Sequence, residues 1–87
     1  MTAAKIEVYT TSWCSYCDRA RQLLHHKGLS CEEIDIEVQP ERRAEMIRRS
    51  GRRTVPQIFI RGQHIGGCDD LYALEEAGDL ESLLAGR

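Results

Sequence analysis

The sequence has no run of about 18 apolar residues, the length that a helix needs to cross a bilayer. Its opening segment, MTAAKIEVYT, also lacks the apolar core of a secretory signal. We therefore expect no membrane partner and a cytoplasmic location. Thiols are kept reduced in the cytoplasm, so paired cysteines there are more often catalytic or metal-binding than structural.

A strong charge of either sign is missing as well. Basic residues number 12 and acidic residues 14, which gives a formal net charge of −2, and no general attraction to nucleic acid follows. We find no linker, internal repeat or low-complexity segment. The 41% of apolar and 30% of charged residues form an ordinary globular balance. We expect residues 1–87 to form a single domain.

Hydrophobic periodicity and turn residues predict strands that alternate with helices. Strands are expected at 5–10, 31–36, 57–60 and 64–67. Helices are expected at 14–27, from 40 to about 51, from 69 or 70 to 76, and at 80–85. A βαβ unit this short predicts two parallel strands and an α/β fold.

Several residues suit the expected helix ends. Gly28 is expected to close the first helix in a left-handed conformation. Pro40 suits the first position of the second helix. Asp69 or Asp70 can cap the third helix and Asp79 the fourth.

The most informative residues are two cysteines with two residues between them. Cys14 lies where the loop after the first strand meets the first helix. The free N–H groups and the positive dipole end of a helix N-terminus favour a thiolate there. Cys17 lies one turn deeper on the same face, where it can attack a sulfur attached to Cys14. C-x-x-C beside a βαβ pattern is typical of a thioredoxin-like redox site.

Two other interpretations of the pair remain open on spacing alone, namely half of a zinc site and two buried cysteines without chemistry. A tetrahedral zinc site needs further ligands, and no second C-x-x-C exists. His25 and His26 lie roughly 12–14 Å further along the helix axis, too far to close on the same metal. We interpret them as solvated residues of the last turn, and His64 as a surface residue of the hairpin.

Three segments in this order resemble the glutaredoxin family. They are WCSYC before a helix, TVPQIFI, and GGCDDLYAL after the hairpin, and the resemblance is closest to the small bacterial dithiol class. It implies a thioredoxin fold, a four-stranded mixed sheet flanked by helices on both faces. It also implies glutathione as reductant and carried group, and disulfide-containing or glutathionylated proteins as partners.

The resemblance assigns roles to individual residues. Cys14 becomes the nucleophile and Cys17 the resolving thiol. A cis peptide bond is implied before Pro56, with the Val55 backbone pairing with glutathione. The residues implied to bind glutathione are Tyr16, Arg53, Thr54, Val55, Pro56, Gly67, Cys68 and Asp69. Without the resemblance, the same segments are interpreted as a loop proline, a glycine turn with an Asp cap, and a surface aromatic.

Among these residues, the N–H groups of Cys68 and Asp69 are implied to bind the γ-glutamyl carboxylate of glutathione. The Asp69 side chain is implied to bind the γ-glutamyl ammonium. Family members often carry Lys at the position of Thr11, and its absence leaves Arg52, Arg53 or Gln57 to contact the glycine carboxylate. We interpret the arginines at 42, 43, 48 and 49 mostly as a solvated helix face, and Cys31 and Cys68 as packing residues.

A second departure concerns Ser15, where many members have Pro. Together with Trp13 it resembles members that hold a [2Fe-2S] cluster between two protomers, with Cys14 and a bound glutathione of each protomer as ligands. The alternative function is therefore a cluster-bridged dimer that acts as iron–sulfur carrier or redox sensor, and otherwise the chain is expected to be a monomer. A third hypothesis, a thioredoxin-like electron donor, is disfavoured by TVP and GGCDD.

Overall fold

The computed structural model describes residues 4–86 and contains four strands and four helices in that range. The strands are β1 (Ile6–Thr10), β2 (Glu32–Asp35), β3 (Gln57–Ile60) and β4 (Gln63–Gly66). The helices are α1 (Ser15–His26), α2 (Glu41–Ser50), α3 (Cys68–Ala77) and α4 (Asp79–Leu84). All eight predicted elements are present. β3 has the predicted ends, and the ends of the other elements are shifted by at most two residues.

The strands form one mixed sheet in the order β2-β1-β3-β4. β1 pairs with β2 in parallel, as the βαβ pattern predicts, and with β3 in antiparallel orientation. β3 and β4 form an antiparallel hairpin. The predicted α/β fold with a four-stranded mixed sheet is confirmed.

Each face of the sheet is covered by helices. On one face, Val8 and Ile58 pack with Leu24 of α1, Leu71 of α3 and Leu80 of α4. On the opposite face lies a smaller cluster, formed by Tyr9, Ile34, Ile36, Met46 and Phe59. Met46 belongs to α2, so helices flank both faces of the sheet, as expected.

Strand β1 is buried along its whole length because it lies inside the sheet. Its sequence alternates apolar and polar residues, yet Glu7 and Tyr9 are enclosed like Ile6 and Val8. Arg49 of α2 explains this burial: its guanidinium donates to both Glu7 carboxylate oxygens at 3.1 and 3.3 Å and to the Tyr9 hydroxyl at 2.8 Å.

The predicted solvated basic face of α2 is therefore only partly correct. The Arg49 guanidinium lies 4.0 Å from the centre of the Phe59 ring, so Arg49 covers part of this face of the sheet. Arg42 bonds Glu45, which accepts a hydrogen bond from Tyr9. Burial and that hydrogen bond raise the pKa of Tyr9. The other two arginines of this face, at 43 and 48, are exposed.

Some helix ends lie where the sequence predicts them, and others differ from the prediction. Gly28 is left-handed after α1, as predicted, with φ of 73°. Pro40 precedes α2 as its N-cap and is not its first residue. Likewise, α3 begins at Cys68 and α4 at Asp79, each after a glycine. The Asp70 side chain still caps α3, as one of the two predicted candidates, whereas Asp79 is the first residue of α4 and not its cap.

The β3–β4 hairpin is tighter than the predicted three-residue connection. Gln63 already pairs with Ile60, which leaves Arg61 and Gly62 as the loop. Both have positive φ, 54° and 81°, which is the requirement of a type I′ turn. Within residues 4–86 no helix is long and apolar enough to cross a membrane.

Candidate functional site

The site is built around Cys14, the N-cap residue of α1. After β1 ends at Thr10, a short loop brings Cys14 to the helix start in an extended conformation, with φ −109° and ψ 110°. The backbone N–H of Cys17 donates to Cys14 Sγ at 3.1 Å. A sulfur therefore occupies the position in which an Asp or Ser oxygen usually caps a helix, and it is partly exposed.

Cys17 lies one helical turn from Cys14, but its environment is buried where that of Cys14 is partly exposed. Its side chain is fully buried. Burial raises the pKa of the Cys17 thiol to about 12, and the neighbouring Cys14 sulfur adds to the increase. Cys14 and Cys17 are both free thiols, so this structure is the reduced state of the pair.

The segment that follows α2 forms one wall beside Cys14. Cys14 Sγ lies 3.7 Å from the carbonyl oxygen of Val55, to which its thiol can donate. The Val55–Pro56 peptide bond is cis, as the family resemblance implied. Pro56 is buried and Val55 partly buried, whereas Arg53 and Thr54 are exposed.

The turn before α3 forms the other wall. A side chain at Gly67 would begin 3.4 Å from the Pro56 carbonyl oxygen, which shows how closely the two segments approach. Gly66 has φ of 123°, and a Cβ there would lie 2.3 Å from the Asp70 carboxylate. Only glycine fits this position without a shift of Asp70.

The two aspartates at the start of α3 have different surroundings. Asp70 accepts a hydrogen bond from the Gly67 N–H at 2.9 Å and pairs with Arg52 at 3.1 Å, and both contacts lower its pKa. Asp69 is exposed and has no hydrogen-bond or ionic partner among residues 4–86. Asp70, rather than Asp69, therefore acts as the cap, and the Asp69 carboxylate is free toward solvent.

Exposed aromatic side chains precede and follow Cys14 in the sequence. Trp13 is 93% and Tyr16 53% exposed. Arg19 lies 6.0 Å from the Tyr16 ring centre and 5.3 Å from that of Tyr72. The Tyr72 hydroxyl donates to the Arg19 carbonyl at 3.1 Å, which ties α3 to α1 below the site.

Of the three substitutes suggested for the missing Lys, two are engaged elsewhere. Gln57 is fully buried, and its carboxamide bonds the Thr54 carbonyl and His64. Arg52 pairs with Asp70. Arg53 is exposed, with no ionic partner among residues 4–86, and is the cation that remains available.

The other two thiols are part of the packing of the larger core cluster. Cys31 precedes β2 and is partly buried, and Cys68 is a buried member of the larger core cluster. Burial raises the pKa of both. His25 and His26 are exposed, as predicted, and no group of three or more metal-ligating side chains lies together among the described residues.

His64 differs from its prediction as a surface residue of the hairpin. It is partly buried, packs on the Phe59 ring at 5.0 Å and bonds Gln57 at 2.8 Å. Its alternation with Ile65 on an edge strand gave no signal of this contact, because the partner lies across the hairpin on β3. Burial lowers the pKa of His64.

The site therefore contains the partly exposed sulfur of Cys14 at a helix N-terminus and the buried thiol of Cys17 one turn further on. The Cys14 sulfur lies beside the turn that contains the cis-proline. The glutaredoxin family model matches residues 6–65, which include both cysteines and that turn. The chain belongs to the glutaredoxin family. Members of this family are thiol oxidoreductases.

Relatives support the family over nearly the whole chain. The chain is 58% identical over 81 residues to Glutaredoxin 3 of Escherichia coli K12, a match that covers 93% of this chain and 98% of the relative. It is 55% identical over 80 residues to a glutaredoxin of Pseudomonas aeruginosa, covering 92% and 95% of the two chains. The resemblance to the bacterial class is confirmed.

Solved structures agree on the fold. The solution structure of glutaredoxin from Brucella melitensis superposes with a TM-score of 0.83 at 55% identity, over 97% of this chain and 91% of that chain. The crystal structure of a buckwheat glutaredoxin–glutathione complex superposes with a TM-score of 0.86 at 30% identity, over 95% and 78%. The thioredoxin fold expected from the sequence is thereby confirmed.

Proposed function

We propose that the protein is a glutathione-dependent thiol–disulfide oxidoreductase that reduces glutathionylated thiols and protein disulfides. The observation that carries the proposal is the environment of Cys14, whose sulfur accepts the Cys17 N–H at the start of α1. Helix N–H groups and the helix dipole stabilise negative charge on that sulfur, and the thiolate is the attacking form.

Glutathionylated substrates need only Cys14. Its thiolate attacks the glutathione sulfur, the substrate leaves as a thiolate, and a Cys14–glutathione disulfide forms. A second glutathione thiolate attacks the glutathione sulfur of that adduct, which releases glutathione disulfide and restores the Cys14 thiolate. Each exchange breaks one S–S bond and forms another. The electrons that reduce the substrate therefore come from the second glutathione, which ends as glutathione disulfide.

Protein disulfides need Cys17 as well. Cys14 attacks the substrate disulfide and releases one substrate thiolate, and Cys17 then attacks Cys14 Sγ to release the other and form the Cys14–Cys17 disulfide. Two glutathione molecules reduce that disulfide. The negative charge of Cys14 contributes to the raised pKa of Cys17, and capture of Cys14 in a mixed disulfide removes this contribution, so Cys17 loses its proton more easily when it must act.

Glutathione is proposed to lie between the two walls beside Cys14. Thr54, Val55 and Pro56 form one wall, with the Val55 backbone as pairing partner of the cysteinyl unit. Gly67 leaves room beside the Pro56 carbonyl. The N–H groups of Cys68 and Asp69, in the first turn of α3, suit the γ-glutamyl carboxylate.

Charged and aromatic side chains at the edges complete this groove. The free Asp69 carboxylate suits the γ-glutamyl ammonium. Arg53 suits the glycine carboxylate in place of the absent Lys. Tyr16 flanks the nucleophile as an aromatic wall. The buckwheat glutaredoxin was crystallised as a complex with glutathione, which agrees with this ligand.

We further propose that residues 1–87 form one domain and act in the cytoplasm.

The test compares two substrates and two reductants. A peptide blocked by glutathione and the same peptide blocked by 2-mercaptoethanol are each reduced by the purified protein, with glutathione recycled by glutathione reductase. We expect at least roughly tenfold higher kcat/KM for the glutathione-blocked peptide, because only that substrate fills the groove. Equal values, or reduction by thioredoxin reductase and NADPH without glutathione, would favour the thioredoxin-like hypothesis.

A cluster-bridged dimer is the second candidate, and the partial exposure of Cys14 favours it. Cys14 is partly exposed beside Trp13 and Ser15, both exposed. Cys14 is the residue of this chain that would hold a [2Fe-2S] cluster. Four thiolates are needed, so the partner protomer's Cys14 and two bound glutathiones would complete the set. The cluster would supply iron–sulfur transfer or one-electron chemistry.

Anaerobic reconstitution with iron, sulfide and glutathione tests this candidate. A coloured species that elutes as a dimer, and is weakened by Ser15→Pro without loss of oxidoreductase activity, is the expected result. A colourless monomer would contradict the cluster function and leave the oxidoreductase proposal unaffected.

A further inference from the structure

A chain of hydrogen bonds leads from the edge strand β4 to the turn beside Cys14. Gln57, the residue after Pro56, is fully buried. Its Nε2 donates to the Thr54 carbonyl at 3.0 Å and approaches the Thr54 hydroxyl at 3.2 Å. Its Oε1 lies 2.8 Å from Nε2 of His64. One carboxamide thus joins the Thr54–Pro56 turn to His64.

The Thr54 carbonyl fixes how that carboxamide is oriented. A carbonyl oxygen can only accept a hydrogen bond, so the NH₂ group of Gln57 must face it. The flipped amide would set two carbonyl oxygens against each other in a buried site, at a cost in free energy. Oε1 of Gln57 therefore faces His64.

This orientation determines the tautomer of His64. The Gln57 Oε1 atom is an acceptor, so His64 Nε2 must carry a hydrogen. The ring cannot turn away easily, because it packs on Phe59 with 5.0 Å between ring centres and an interplanar angle of 38°. Phe59 is itself covered on α2's side by Arg49, so the whole stack is held by the core.

We propose that His64 and Gln57 are positioning residues for the proposed glutathione groove, with His64 in the Nε2–H tautomer. Neither residue needs to touch the ligand. His64 orients the Gln57 carboxamide, the carboxamide holds the Thr54 carbonyl, and Thr54 precedes the Val55 backbone that lies against Cys14 Sγ. The inference rests on the proposed function for its kinetic effect, and not for the tautomer.

The tautomer can be read in the wild-type protein. Long-range ¹H–¹⁵N correlation of the histidine-labelled, reduced protein at pH 7.5 should show His64 with a protonated Nε2 and an unprotonated Nδ1. His64→Phe identifies its signals, and the exposed His25 and His26 serve as internal references. An Nδ1–H tautomer, or a mixture of both forms as expected for a solvated ring, would overturn the proposal.

Two variants test the positioning role. His64→Phe keeps an aromatic ring against Phe59 and removes the donor, while Gln57→Met keeps the length of the buried side chain and removes the NH₂ group without adding a charge. Each should raise the KM for the glutathione-blocked peptide about fivefold, the effect of one lost neutral hydrogen bond, with kcat within about twofold. His26→Phe, at an exposed position of α1, is the matched control.

Circular dichroism and thermal unfolding establish that the variants are folded. If a folded His64→Phe or Gln57→Met protein keeps the wild-type KM, the positioning role is wrong. A purely structural role would lower the melting temperature without a change in KM, and this outcome overturns the proposal too. If the wild-type protein shows no preference for the glutathione-blocked peptide, the proposed function fails, while the tautomer remains testable by NMR.

Discussion

Two helices begin beside the proposed glutathione groove, and each carries a cysteine at its start. Cys14 is the N-cap of α1, and Cys68 is the first residue of α3. In α1 the cysteine sulfur itself accepts the first-turn N–H. In α3 the capping carboxylate belongs to Asp70, and the Cys68 side chain turns into the core.

The difference shows that a helix N-terminus does not by itself make a thiol reactive. The position must also direct the sulfur to the free N–H groups and leave it accessible. Cys14 satisfies both conditions, whereas burial holds Cys68 in the neutral thiol form by raising its pKa. The proposed nucleophile and the N–H groups proposed to bind glutathione thus lie at two different helix starts.

The largest effect is expected from Cys14→Ser, which removes the sulfur that caps α1. Both deglutathionylation and protein-disulfide reduction should fall to background in the glutathione-coupled assay, because a serine hydroxyl is not ionised there. Cys68→Ser is the matched control with the same atomic change at the other helix start. Substantial turnover by Cys14→Ser would mean that the nucleophile has been misassigned.

Cys17→Ser should separate the two activities. Reduction of protein disulfides should be lost, while deglutathionylation should persist, because glutathione can resolve the Cys14 adduct. In the wild type, the resolving step should accelerate as pH rises from about 6 to 8, since burial, the main cause of the raised Cys17 pKa, persists in the mixed disulfide and leaves little thiolate at neutral pH. Loss of both activities together would show that Cys17 has another role.

Asp69→Ala tests the ligand side of α3. Removing a charged hydrogen bond to the γ-glutamyl ammonium costs about 1–3 kcal/mol, so the KM for glutathionylated peptide should rise roughly tenfold. Asp79→Ala, which removes an exposed carboxylate at the start of α4, is the control. An unchanged KM would exclude Asp69 from the groove.

Asp70→Ala tests whether the Asp70 side chain stabilises the start of α3. Loss of the bond to the Gly67 N–H should lower the free energy of unfolding by about 1 kcal/mol at neutral pH. The exposed pair with Arg52 adds little.

The pH dependence of this loss has a definite sign. The folded-state pKa of Asp70 is lowered, so its stabilisation is complete above the unfolded pKa and disappears as pH falls through the folded value. Urea unfolding of wild type and Asp70→Ala should therefore converge in acid. A difference that stays constant down to about pH 2 would contradict the capping role.

The order of strands and helices could be predicted because each element carries its own local pattern, such as Gly28 after α1. The placement of Cys14 and Cys17 could be predicted as well, because their spacing fixes their relation at the start of one helix. Contacts between elements far apart in sequence carry no such pattern. The bonds of Arg49 to Glu7 and of Gln57 to His64 were therefore missed.

The choice between adjacent aspartates illustrates the same limit. Asp69 and Asp70 are equivalent in the sequence pattern, and one residue of shift in the start of α3 decides which carboxylate reaches the Gly67 N–H. Helix ends are uncertain by one or two residues, so local reasoning cannot separate a cap from a ligand contact there.

The smallest effect on activity is expected from Cys68→Ser. The Cys68 side chain is 4% exposed and packs in the larger core cluster, so a hydroxyl there should lower the free energy of unfolding by about 1–3 kcal/mol if it finds no partner. The backbone N–H proposed to bind glutathione is retained, so KM and kcat for glutathionylated peptide should stay within about twofold. Iodoacetamide at neutral pH followed by mass spectrometry should label Cys14 and leave Cys68 unmodified. Rapid labelling of Cys68, or a large rise in KM, would mean that the second helix start also presents its sulfur to the groove, and the division between the two helices would not hold.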